Sequence, residues 1–115
     1  RALAALQIEV ETLASAVRDP RLLACVKSAQ TALSRAQSWI SQTSGDAQEA
    51  GARRFAMTVG RAFALMLLCR DAQWSLEHEN DRRSLAAAAR FVQNGVDLIA
   101  GEDMELSKAL ANDTP

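Results

Sequence analysis

The sequence predicts an all-α fold, an antiparallel four-helix bundle with a short extra C-terminal helix. Three observations carry that expectation. Apolar residues recur at alternating three- and four-residue intervals over four separate stretches. The chain is rich in alanine, has no Tyr and holds only two Pro and five Gly, a composition that suits helices packed on helices better than a sheet core. Short polar segments join the stretches, and short connections make successive helices antiparallel neighbours. No strand pattern and no internal repeat stands out.

The first helix is expected from Ala2 to Arg18, with Leu3, Leu6, Val10, Leu13 and Val17 as its apolar stripe. Asp19-Pro20 marks a boundary, because Asp caps a helix and Pro fits its first position. From Val17 to Leu22 the stripe jumps about 140° at roughly 100° per residue, so two helices are expected here and not one kinked helix. The second helix runs from Pro20 to Gln42 on Leu22, Val26, Ala29, Leu33, Ala36 and Ile40. Gly45 in the Thr43-Ser44-Gly45-Asp46 turn is its expected terminator.

The third helix is expected from Asp46, with Asp46 and Glu49 as a capping box, to about Leu76. It is apolar nearly all round between Ala62 and Cys69, which predicts that it is surrounded and central. Ala52, Ala56, Gly60 and Ala64 lie four apart on one side. Gly60 inside a helix costs about 1 kcal/mol relative to Ala, and close approach of another helix, with Ala86 to Ala89 opposite, would offset it. The fourth helix is expected from Asp81 or Arg82 to Ile99, on Leu85, Ala89, Val92, Val96 and Ile99, ended by Gly101. A short helix over Asp103–Leu110 follows. Residues 1–111 are expected to form one domain and 112–115 a frayed tail.

Composition narrows the function classes. The 115 residues carry thirteen Lys and Arg against fourteen Asp and Glu, a net charge of −1. Nucleic-acid binders usually show a basic stripe, and here the basic residues are scattered, so no nucleic-acid partner is expected. The longest apolar run, Ala62 to Cys69, is far short of the roughly 20 residues of a membrane span, and no signal peptide is seen. A cytoplasmic location is expected.

Candidate chemistry is sparse. Cys25 and Cys69 both sit in apolar helical patterns, where reduced core thiols are expected more than a disulfide or a nucleophile. His78, the sole histidine, lies in the run Glu77-His78-Glu79-Asn80-Asp81. A metal reading would join it to Glu79 and Asp81, but a solvated turn fits better. Arg61 and Arg70 interrupt the most apolar helix; an anion site, such as one for phosphate, is the functional reading, but a stem packed on the core with its head in solvent or paired fits better, and Arg70 could stack on Trp74. Trp39, Trp74 and Phe91 are expected in the core or at an interface. No nucleotide-binding, metalloprotease or hydrolase motif is present. No catalytic, cofactor-binding or metal residue is therefore assigned. The candidate packing or interface residues are Ala52, Ala56, Gly60, Ala64, Trp39, Trp74 and Phe91.

Two blocks carry a family likeness. Arg53-Arg54-Phe55-Ala56-Met57-Thr58-Val59-Gly60-Arg61 is followed by Leu67-Leu68-Cys69-Arg70-Asp71-Ala72-Gln73-Trp74-Ser75-Leu76-Glu77-His78. Later come Ala89-Arg90-Phe91 and Val96-Asp97-Leu98-Ile99. Together they resemble the extra C-terminal helical domain of bacterial acyl-CoA dehydrogenases, flavoproteins of fatty acid metabolism. The resemblance implies a parent enzyme that removes hydrogens from Cα and Cβ of an acyl-CoA thioester, giving the 2,3-enoyl-CoA and reducing FAD. The catalytic glutamate and the flavin contacts of such enzymes belong to core domains, and no segment here matches those motifs. The resemblance thus implies FAD in the parent and none in this segment, enzymatic activity in the parent and none in this segment alone. The expected partners are the dehydrogenase core domains of the same chain and a second subunit of a homo-oligomer. A free-standing helical interaction or dimerisation module, built on the Ala52/Ala56/Gly60/Ala64 row, is the alternative.

Overall fold

The computed structural model describes residues 2–96, apart from the side chains of Ala2, Leu3 and Leu6. These residues form four helices and no strand: α1 Ala2–Ala14, α2 Pro20–Gln42, α3 Gly45–His78 and α4 Arg83–Gln93. The chain is an all-α bundle built around α3, which packs against each of the other three helices. Its 34 residues span about 51 Å at 1.5 Å per residue. The expected short helix over Asp103–Leu110, the Gly101 terminator and the 112–115 tail lie outside the described residues.

The two long helices run antiparallel. Near their connection Trp39 of α2 stacks on Phe55 of α3, ring centroids 5.8 Å apart. At the far end the Cys69 thiol of α3 reaches the Leu22 carbonyl of α2. Their shared seam is the core. Leu22, Val26, Ala29, Leu33 and Ala36 are buried from α2, against Ala62, Leu65, Met66, Cys69 and Ala72 from α3. Val10, Leu13 and Val17 close the core from the first segment, and Leu85, Ala88 and Val96 from the last. The α2 stripe follows its sequence spacing, with Ile40 half-buried at its end.

Caps explain most of the helix limits. Asp19 caps α2 as expected: its carboxylate accepts from the Arg21 N–H at 2.9 Å and pairs with the Arg21 guanidinium at the same distance. Asp81 stands one residue ahead of the cap position Arg82 of α4; it accepts from the Arg83 N–H at 2.9 Å and pairs with its guanidinium at 2.7 Å. At the end of α2, the Thr43 hydroxyl donates to the Trp39 carbonyl at 2.6 Å and the Gln48 amide to the Thr43 carbonyl at 3.0 Å. Gly45 turns the chain at φ +58 but opens α3 instead of closing α2.

Three helix limits differ from expectation. The first helix stops at Ala14, not Arg18. Tight bonds from Ala16 and Val17 N–H to the Leu13 and Ala14 carbonyls close it, and the next two N–H groups are taken by α3. The capping box at Asp46 does not form: the cap position is Ser44, with no side-chain hydrogen bond, and Asp46 lies within the first turn. The fourth helix stops at Gln93, not Ile99. Asn94 and Gly95 end it, with Gly95 at φ +92, a left-handed conformation natural to glycine after a helix. Of the stripe expected for α4, Ala89 is exposed and Ala88 is buried instead.

Candidate functional site

The central helix has two unlike faces. Gly51, Thr58, Ala62, Leu65, Met66, Cys69, Ala72 and Gln73 are buried against the other helices. The opposite face is open. Ala52, Ala56, Gly60 and Ala64 are all exposed, and Met57 and Trp74 beside them are 46% and 53% exposed. The expectation of a surrounded helix is corrected here: among the described residues, α1, α2 and α4 cover three sides of α3 and the fourth is bare.

Among the described residues the small-residue row therefore seats no other helix. A Cβ at Gly60 would meet nothing within 4 Å, so Ala86 to Ala89 do not approach it. The close approach occurs at Gly51, which lies under the Trp39 indole. A Cβ on Gly51 would run into Cζ2 of that ring and lie 2.7 Å from Cη2. Trp39 is thus a half-buried packing residue at the α2–α3 tip. Phe91 is half-buried too, with the Arg61 guanidinium 4.6 Å above its ring. Arg61 Nε also donates to the Gly95 carbonyl at 2.9 Å, so this arginine fastens the end of α4 to α3. Trp74 does not stack on Arg70. It stacks on His78 at 4.7 Å, while Arg70 pairs with Asp71 at 3.2 Å.

Two features escaped sequence reasoning. Gln73 is buried, and its Oε1 accepts from both the Arg18 and Asp19 N–H groups, at 2.8 and 2.9 Å. It thereby satisfies the backbone of the α1–α2 turn from α3. Beside it Arg18 pairs with Glu77 at 3.2 Å. The signal was present: Gln73 follows Met66 and Cys69 at helical spacing, a polar residue in a buried stripe. Gly51 was likewise legible, since it precedes Phe55, Thr58 and Ala62 on that stripe, whereas Gly60 falls off it.

Among the described residues no reactive group is assembled. Cys25 and Cys69 are free and buried. Burial pushes both thiols up, Cys69 to about 12, which keeps them protonated and poor as nucleophiles. His78 is exposed at the end of α3, with Nδ1 3.0 Å from the Trp74 carbonyl. Among the described residues no three His, Cys, Asp or Glu side chains stand close enough to hold a metal. A cleft between α1 and α2, lined by Gln7, Val10, Glu11, Gln30, Leu33 and Ser34, encloses about 150 Å³. This is below the roughly 300–1,000 Å³ usual for small-molecule pockets. Among the described residues no helix is long and apolar enough to cross a membrane.

These features define an all-α helical domain, with its polar groups spent on caps and turns. Residues 1–113 match the family described as acyl-CoA dehydrogenase 11 C-terminal domain-like, and the chain belongs to that family. It is thus a C-terminal domain of the acyl-CoA dehydrogenase-like kind, as the Arg53–His78 block implied. No curated protein and no solved structure matches the chain.

Proposed function

We propose that this chain serves as the non-catalytic C-terminal helical domain of a cytoplasmic, FAD-dependent acyl-CoA dehydrogenase, and that its work is to pack on the core domains or to assemble the oligomer. The observation that carries this reading is the family match over residues 1–113. The parent enzyme would oxidise an acyl-CoA thioester to the 2,3-enoyl-CoA at a site in its core domains. The bare face of α3, with Met57 and Trp74 exposed on it, supports a role in contact.

The test is direct. The purified chain, mixed with FAD and passed through gel filtration, should emerge without flavin absorbance and without acyl-CoA oxidation. Stoichiometric flavin on the chain alone would overturn the assignment. The same bare face favours a second reading, a free-standing interaction module. The gene decides between them: an upstream dehydrogenase core in the same reading frame supports the first, and a start codon just before Arg1 the second.

A further inference from the structure

We propose that the bare face of α3 pairs antiparallel with the same face of a second copy of this chain, about a two-fold axis between Gly60 and Ala64. The proposal deepens the oligomer-assembly part of the reading above by naming the surface and the partner. It stands or fails separately from docking on a dehydrogenase core.

The seam has a strict spacing. Met57, Gly60, Ala64 and Leu67 follow one another at intervals of three, four and three, and Asp71, Trp74 and His78 continue at four, three and four. Arg53 precedes Met57 by four. This is the heptad spacing of a two-helix seam, about 3.5 residues per turn. It is distinct from the row spaced by four, which drifts off the face. All of these side chains are exposed except Leu67, which is half-buried. Among the described residues the seam has no partner along the helix.

The charges select the orientation. In an antiparallel pair centred between Gly60 and Ala64, facing positions sum to a constant. Gly60 meets Ala64 of the other copy, and Met57 meets Leu67. Arg53 meets Asp71, each about 13.5 Å from the axis. Asp46 meets His78. The small residues fall at the point of closest approach, the large apolar ones flank it, and an opposite-charge pair closes each end. A parallel pair would set Arg53 on Arg53 and Asp71 on Asp71, which repel. A two-fold axis makes every contact occur twice. Within one copy Asp71 already pairs with Arg70 at the surface, so Arg53 of the second copy would join an existing ion pair.

The test uses sedimentation of the whole chain and three variants. The parent should form a dimer whose population rises with concentration. Gly60→Leu adds bulk at the axis on both copies and should weaken the dimer by about 100-fold. A Cβ there meets nothing in the bundle, so the monomer should keep its helical content. Arg53→Asp sets carboxylates against Asp71 and should weaken the dimer by about tenfold. Arg53→Asp combined with Asp71→Arg exchanges the charges and should restore it. A parent that stays monomeric up to about 1 mM, a dimer indifferent to Gly60→Leu, or a charge exchange without restoration would each overturn the proposal. None of these results bears on flavin binding by the chain or on an upstream dehydrogenase core.

Discussion

Gln73 shows how one buried amide fixes a turn. Its oxygen serves two backbone N–H groups that would otherwise face the core side of the turn unsatisfied. Replacing Gln73 by Leu keeps the volume and removes the acceptor, which should cost about 1–3 kcal/mol in chemical denaturation. Gln73→Glu retains an acceptor oxygen and should recover part of that loss. Glycine behaves oppositely at two places on the same helix. Gly60→Ala should stabilise the chain by up to about 1 kcal/mol, because the site is open and Ala is the better helix former. Gly51→Ala gains the same propensity but drives a methyl into the Trp39 ring, an overpacking cost of about 1–3 kcal/mol. The expected net is a loss of about 1 kcal/mol with a shift in Trp39 fluorescence. An equal gain at both glycines would contradict the packing described.

At the scale of the element, α2 and α4 each start beside an Asp two residues ahead of an Arg, Asp19 as the cap of α2 and Asp81 one residue before the cap position of α4. The Arg21 guanidinium hydrogen-bonded to Asp19 holds that carboxyl at about 2, below its ordinary 3.8. Arg83 lowers Asp81 in the same direction. A carboxyl whose folded pKa is depressed contributes stability above its unfolded pKa and loses it as pH falls through the folded one. The two Asp–Arg pairs should therefore act fully above about pH 4 and fade toward pH 2. The Tm of the parent should fall over that window, and Asp19→Asn with Asp81→Asn should fall less steeply, because Asn accepts the same backbone N–H bonds without a charge. Identical slopes would mean that these pairs do not contribute. Element ends were unevenly legible. Asp19-Pro20 is local chemistry and was readable. The early stop of α1 was not, because it depends on a glutamine 55 positions away.

At the scale of the molecule, the core depends on the α2–α3 seam. Leu65 is fully buried at its centre, so Leu65→Ala should cost about 2–5 kcal/mol, a large part of the roughly 5–15 kcal/mol that holds a domain together. A thermal melt of the variant checks this. The thiols report the same core. Cys25 and Cys69 should resist alkylation at neutral pH until the chain is unfolded, since both are buried and raised in pKa. Rapid labelling of the native chain would mean that the seam opens. The bare face of α3 explains why this core is one-sided: three helices suffice to cover three sides of the fourth.

Periodicity by itself determined the all-α class, the four helices, the α2 stripe and the Asp19 cap, because each depends on neighbours within a turn or two of sequence. The Arg53–His78 block also carried the family. Which side of α3 is covered was decided only by the tertiary structure. A helix apolar nearly all round has no sequence signal that tells a buried face from one left for a partner. That choice is made by where α1, α2 and α4 find room to pack, and it turned the Gly60 row from an internal contact into an exposed surface.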